Sequence, residues 1–250
     1  MIFYKIIISY NGANFCGWQF QTENPNSVQE TLEKVLKDIV NYQNIKVIAA
    51  SRTDGGVHAK GQVLKVGLPK NIEPGNLKQG LNFKLPNTIT VRNIEFCNED
   101  FNPTTGSTSK EYHYYFSSTD PIGTLNDIVY FSKETIDIDK MSLACKDFIG
   151  SHDFSNFHVP GSRRPNPNRT IFECEILKAS FSPLCNDVYY LKIVGNGFLK
   201  YMVRKIMDYL FKVGTGQLKI DDIGSYLDSS KIITLGKARA CGLHLIEINY

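Results

Sequence analysis

Metal-ligand spacing is missing from this chain. Its six cysteines, at positions 16, 97, 145, 174, 185 and 241, include no CxxC pair, and its five histidines are scattered. No zinc template is therefore present. The thiols read as reduced and mostly buried, in a cytoplasmic protein. A long apolar run is missing as well. The opening MIFYKIIISY stops at Asn11-Gly12, short of the ~20 residues needed to cross a bilayer. It also lacks the basic flank and small-residue cleavage site of a secretory leader. No glycine-rich dinucleotide fingerprint occurs either. Excess charge of one sign is slight, +3 from 28 basic and 25 acidic residues. A polyanionic partner must then be met by cations gathered on one face. Acidic residues are absent from positions 154 to 172, where Arg163, Arg164 and Arg169 stand among Pro160, Gly161, Pro165 and Pro167. That stretch reads as an exposed basic loop.

What is present suffices for a sizeable core. Apolar residues make up 42% of 250, enough for one large domain or two ordinary ones. Residues 2–10 alternate and are rich in Ile, Phe and Tyr, the pattern of a strand. Ser27-Val28-Gln29-Glu30 is a capping box, and Val28, Leu32, Val35, Leu36 and Ile39 follow it at helical spacing. Strands are predicted over 45–50 and 62–67, with SRTDGGVHAKG as the loop between them. A second series begins near 110, where KEYHYYFSS reads as a strand. Met141, Ala144, Cys145 and Phe148 mark a helix face capped by Asp137 or Asp139. FECEILKASF, VYYLKIVGN and LHLIEINY read as strands, 199–213 as a helix with a broad apolar stripe, and 219–228 as a shorter helix. Hairpin-linked strands with segregated helices predict an α+β fold.

The chemistry concentrates in Ser51-Arg52-Thr53-Asp54-Gly55-Gly56-Val57-His58-Ala59. A cation sits two residues from a carboxylate, on a loop whose glycines let another molecule approach the backbone closely. An Asp-Gly pair can also be a plain surface turn. Arg204 lies one residue past Val203, at the border of the predicted helix stripe, where either a partly buried ion pair or a solvated cation fits. Tyr112 and Tyr114 share one face of their strand, so one can pack while the other binds.

Seven blocks, in order along almost the whole chain, resemble the TruA family of tRNA pseudouridine synthases. Ser51–Ala59 resembles G-R-T-D-x-G-V-H-A. Tyr10-Asn11-Gly12 with Phe15 and Gly17-Trp18-Gln19 resembles Y-D-G-x-x-F-x-G-W-Q. Leu81-Asn82 with Leu85-Pro86 and Ile89 resembles L-N-x-x-L-P-x-x-I. Lys110-Glu111-Tyr112-His113-Tyr114 resembles R/K-x-Y-x-Y. Gly150 with His152-Asp153-Phe154 and Phe157 resembles G-x-H-D-F-x-x-F. Phe198-Leu199 with Met202-Val203-Arg204 resembles F-L-x-x-M-V-R, and Gly242-Leu243 with Leu245 resembles G-L-x-L.

The resemblance implies two ferredoxin-like (RRM-like) halves, over 1–105 and 106–250, forming one mostly antiparallel sheet with a central cleft that holds Asp54. It implies a cofactor-free, metal-free isomerase acting on tRNA at anticodon positions 38–40, as a homodimer. Asp54 then matches the catalytic aspartate, acting as nucleophile or as base at the ribose. Arg204 matches the cation that compensates it, Tyr112 the aromatic against the uracil, and Arg52 the arginine that fills the place of the flipped base. Arg163, Arg164 and Arg169 are expected on tRNA phosphates. The intact Asp54, Tyr112 and Arg204 weigh against a non-catalytic RNA-binding or RNA-folding protein. Departures at 101–107, where Thr104 replaces a frequent arginine, keep other RNA sites open. Asp208 stands where glycine is usual, and a carboxylate needs more room there.

Overall fold

The computed structural model describes residues 1–23, 26–119, 123–159, 166–181 and 185–250. They form two compact units, Met1–Thr108 with His244–Tyr250, and Ser109–Leu243.

The first unit opens with β1 (Ile2–Tyr10), whose Tyr4, Ile6, Ile8 and Tyr10 point inward. The period-two alternation of the sequence is thus a half-buried strand. Helix α1 (Val28–Val40) begins where Ser27 Oγ accepts the amide of Glu30 at 3.1 Å, and it buries Val28, Leu32, Leu36 and Val40. Each such leucine contributes about 1.5–3 kcal/mol by leaving water. Strands β2 (Val47–Ala49) and β3 (His58–Leu68), helix α2 (Pro74–Lys84) and strand β4 (Ile89–Phe96) follow. β1 pairs antiparallel with β3 and with β4, and β2 pairs antiparallel with β3. The order β4-β1-β3-β2, threaded strand-helix-strand-strand-helix-strand, is the ferredoxin-like one.

The structure departs from the sequence reading here in one boundary and in a helix that the reading lacks. β3 starts at His58, so the His-Ala end of the motif leaves the loop for a strand: Ala59 already pairs with Tyr10. Helix α2 lacks an apolar stripe and buries only Leu77 and Leu81, but it carries its own start signal. Pro74 takes the first turn, and Glu73 accepts the amides of Gly75 and Asn76 at 2.6 and 3.3 Å.

The second unit runs β5 (Ser109–Ser117), β6 (Tyr130–Phe131), α3 (Ile138–Cys145), β7 (Gly150–Asp153), β8 (Asn168–Phe181), β9 (Cys185–Gly195), α4 (Met202–Gly214) and α5 (Ile223–Leu227). Its strands lie in the order β5-β9-β8-β7, antiparallel throughout, with β6 parallel to β5. Leaving out β6 and β7, the sequence β5-α3-β8-β9-α4 repeats the first five elements of the first unit, with the same strand adjacency. Asp137, one of the two candidate caps, accepts the Lys140 amide at 3.0 Å, and Met141, Ala144 and Cys145 are buried beneath α3. Helix α4 starts three residues later than its apolar pattern predicts, because Tyr201 sits in the left-handed region at φ 64 and Met202 N–H turns back to the Leu199 carbonyl at 3.0 Å.

The chain then returns to the first unit. Strand β10 (Leu243–Asn249) runs parallel to β3, with His244 opposite His58 and Leu245 opposite Ala59. No described helix is long and apolar enough to cross a membrane.

Candidate active site

The Ser51–Val57 loop of the first unit is fixed along its length. At its start, the Gln62 side-chain amide reaches from β3 to Ser51. Its Oε1 accepts the Ser51 N–H at 3.2 Å and its Nε2 donates to the Ser51 carbonyl at 2.7 Å. Gln62 is fully buried. Losing it would strand both backbone groups, at about 1–3 kcal/mol for each unsatisfied group. In the middle, the Thr53 hydroxyl and the Tyr10 phenol share a buried 2.7 Å hydrogen bond, and the Thr53 carbonyl accepts the Trp18 N–H at 3.1 Å. Asp54 itself forms an isolated antiparallel bridge with Gly17. At the far end, Gly56 N–H donates to the Phe15 carbonyl at 3.3 Å and Val57 N–H to the Asp54 carbonyl at 3.1 Å.

The partner in most of these contacts is the segment from Tyr10 to Trp18, the Y-N-G…F-x-G-W block of the sequence. Two of its glycines are demanded by closeness. A Cβ at Gly12 would stand 2.0 Å from the Val57 carbonyl oxygen. One at Gly17, whose φ is +124, would stand 2.9 Å from that of Thr53. Gly12 N–H also donates to His58 Nδ1 at 3.1 Å, which requires that nitrogen to be unprotonated. The buried His58 ring stacks on His244, centroids 4.5 Å apart and planes 18° from parallel. Two segments distant in sequence are thus sewn together, and Asp54 is presented half-buried from the seam. Arg52, two residues earlier, is exposed.

The second unit holds the other two residues singled out by the motifs. Tyr112 and Tyr114 do share the inward face of β5. Tyr114 is wholly buried, donates to the Arg239 carbonyl at 2.9 Å, and has its phenol pKa pushed well up by burial. Tyr112 meets the ring of Phe198 edge-on at 5.2 Å. Arg204, in the first turn of α4, is half-buried. Its Nε donates to the Ala238 carbonyl at 2.7 Å, and its guanidinium lies over the Tyr201 ring, 5.4 Å from the centroid. Of the loop arginines, Arg169 is the second residue of β8 and donates to the Asn166 carbonyl at 3.0 Å. Arg163 and Arg164 lie outside the described residues. Among the described residues no three His, Cys, Asp or Glu side chains gather as a metal-ligand set.

The departures from the motifs are accommodated locally. Asn102 Oδ1 accepts the amides of Thr104 and Thr105 at 2.9 and 3.3 Å, and the Thr104 hydroxyl donates to the Ala49 carbonyl at 3.0 Å. The position of a frequent arginine has become an anchor on β2. Asp208 fastens α4 to the 236 segment, accepting the Gly236 amide at 2.8 Å, with Lys212 Nζ 3.3 Å away. Sequence reasoning assigns no role to Gln62, Tyr10 or Gly12. Gln62 carries one signal: it alternates with the apolar Leu64 and Val66 along β3, so strand periodicity puts it on their buried face.

A family model described as tRNA pseudouridine synthase matches residues 6–103 and 144–250. The chain is similar over nearly its full length to three proteins. They are tRNA pseudouridine synthase A 2 of Desulfotalea psychrophila (42% identical, 99% of this chain and 98% of that one), tRNA pseudouridine synthase A 1 of Bacillus cereus (36%, 98% of each), and tRNA pseudouridine synthase A of Acetivibrio thermocellus (34%, 98% of each).

Proposed function

This chain belongs to the tRNA pseudouridine synthase family, and we propose that it isomerises uridines 38–40 of the tRNA anticodon stem-loop with Asp54 as its catalytic carboxylate. The observation that carries the reading is the immobilised Asp54 loop. A carboxylate that must meet one atom of a sugar needs a fixed backbone beneath it, and this loop is hydrogen-bonded at its start, middle and end.

The reaction breaks the bond from C1′ to N1 of uracil and forms one from C1′ to C5. N1 gains a proton and C5 loses one, so no electron carrier is required. The target base leaves the stack to be handled. In this reading Asp54, ionised, acts at the ribose, either by attacking the sugar or by removing a ribose proton. Arg204 supplies the cation that keeps the carboxylate charged as water is excluded. Its bond to Ala238 and its stacking on Tyr201 support that role by fixing the guanidinium's direction. The Tyr112 ring, already oriented by Phe198, lies against the uracil, and its phenol helps move the C5 proton. Arg52, exposed on the loop, takes the place of the extruded base. The reading also includes a homodimer in the cytoplasm, with one tRNA touching both subunits.

The experiment is pseudouridine mapping on unmodified tRNA incubated with purified protein, with light scattering on the same preparation. Conversion in the anticodon stem-loop by a particle of twice the chain mass is expected. Binding without conversion of any RNA offered would leave an RNA-binding protein instead. Arg163, Arg164 and Arg169 are assigned to tRNA phosphates on the acid-free composition of their loop. Replacing all three by Ala should weaken binding and flatten its salt dependence by roughly one unit of slope for each phosphate released. An unchanged slope would withdraw that assignment.

A further inference from the structure

One aromatic ring in the second unit gathers three cations. Lys237 Nζ lies 4.4 Å from the centroid of Tyr201, Lys200 Nζ 5.2 Å and the Arg204 guanidinium carbon 5.4 Å. Lys205 is part of the same cluster. Burial, with the nearby Lys237 charge, lowers its ammonium pKa against the opposing pull of Asp208. Asp208 pulls on Lys205 more strongly than Lys237 pushes, and it is shared with Lys212 and with the amide of Gly236. Among the described residues neither Lys200 nor Lys237 has a carboxylate partner, and both are exposed. The negative face of a ring attracts cations but carries no net charge, so it holds them together without discharging them. The cluster is complementary to an anion.

Its geometry is built in. Tyr201 has φ 64, an uncommon conformation for a bulky residue, and such strain persists where the surroundings impose it. Here the surroundings are explicit. Val159 N–H donates to the Lys200 carbonyl at 3.4 Å, and Lys205 N–H to that of Tyr201 at 2.9 Å. The segment that brings Lys237 is tied on by two bonds. Ala238 N–H donates to the Arg204 carbonyl at 3.1 Å, and Arg204 Nε donates to the Ala238 carbonyl at 2.7 Å. Lys200 and Tyr201 occupy the two unspecified positions of F-L-x-x-M-V-R, so the motif does not account for them.

We infer that Lys200 and Lys237, spread over the Tyr201 ring, grip a phosphodiester of the substrate RNA next to Arg204. This rests on the reading of the chain as an RNA-modifying enzyme. Tyr201 is a positioning residue: one ring orients both the phosphate-binding lysines and Arg204. Docking of the RNA backbone and placement of the guanidinium therefore share a support.

The test is K200Q/K237Q, with K34Q/K70Q, two exposed lysines of the first unit, as a control matched in charge. For the lysine pair, KM for tRNA should rise roughly tenfold with kcat within twofold. The slope of log binding constant against log salt should fall by about 0.7–0.9 for each phosphate no longer gripped. The control should match wild type. Tyr201→Phe should keep both parameters, whereas Tyr201→Leu should raise KM and lower kcat together. Equal KM and slope in K200Q/K237Q and its control would overturn the grip, as would Tyr201→Leu behaving like Tyr201→Phe. Wild-type tRNA affinity is also compared in phosphate and chloride at equal ionic strength. A loss specific to phosphate and absent from K200Q/K237Q is expected, because phosphate and RNA then compete for the same lysines. Phosphate bound by wild type and not by K200Q/K237Q, with no loss of tRNA affinity, would assign the cluster to free phosphate instead and sink the RNA assignment. Failure of the functional reading looks different: wild type would form no pseudouridine, while the binding slopes stayed measurable.

Discussion

Asp54→Asn is expected to remove pseudouridine formation while tRNA still binds. The substitution keeps the side chain's size and takes away its charge. None of the bonds described for the loop backbone depends on that charge, since the Gly17 bridge and the Val57 turn are made by the main chain of residue 54. The backbone of the loop should therefore keep its shape while the carboxylate of the proposed reaction is lost. A rate loss of at least about 10²–10⁴-fold is expected, the range for removing a positioned acid-base group, and more if the carboxylate bonds to the sugar. Single-turnover pseudouridine assays beside a filter-binding isotherm separate the two effects. A variant that retains wild-type rates would move the chemistry elsewhere in the protein. One that loses binding and rate in parallel would make Asp54 a binding residue.

Gly12→Ala should be the most damaging small change in the first unit. Its added methyl would lie 2.0 Å from the Val57 carbonyl oxygen, 2.6 Å from the carbonyl carbon and 3.1 Å from the Val57 amide nitrogen. Three backbone atoms cannot swing aside like a side chain, so the two segments must part. Overpacking of this kind costs about 3 kcal/mol or more, which lowers the melting temperature by roughly 6–12 °C in a chain of this size. Parting the segments also stretches the Gly12 bond to His58 and tilts the loop that bears Asp54. Activity should then fall even well below the melting temperature. Calorimetry with an assay near room temperature would check both. An alanine variant with wild-type melting would mean that the 10–18 segment and the Asp54 loop are not held together as described.

The elements legible in the sequence are those whose own residues carry the whole instruction. Helix α1 has its cap at Ser27 and its stripe at Val28, Leu32 and Leu36, and it forms where those residues say. β1 and β5 alternate because one face of each is buried. Helix α2 is illegible because only Leu77 and Leu81 face inward, and two leucines four residues apart make no stripe. The start of α4 is misplaced by its pattern because Leu199 is buried, as a helix residue would be, yet lies before the left-handed Tyr201 that sets the true boundary. In the candidate site, motif spacing picks out Asp54, Tyr112 and Arg204. The clamps on the loop cannot be found that way. Tyr10 meets Thr53 across 43 residues, and Gln62 meets Ser51 across 11, through strand register that no single segment encodes.

The bonds described for the backbone of the Asp54 loop join amides and carbonyls, helped by a phenol, a hydroxyl and an imidazole nitrogen. Such a loop has little to rearrange when a polyanion arrives. The movement needed to bring sugar and carboxylate together therefore falls on the nucleic acid, which must yield its base to a surface that stays still. The rate at which a given uridine is modified should then track how readily its own stem opens, with weakly stacked or weakly paired positions taken first. The choice among uridines becomes partly a property of the RNA's mechanics, written into the substrate rather than into the protein.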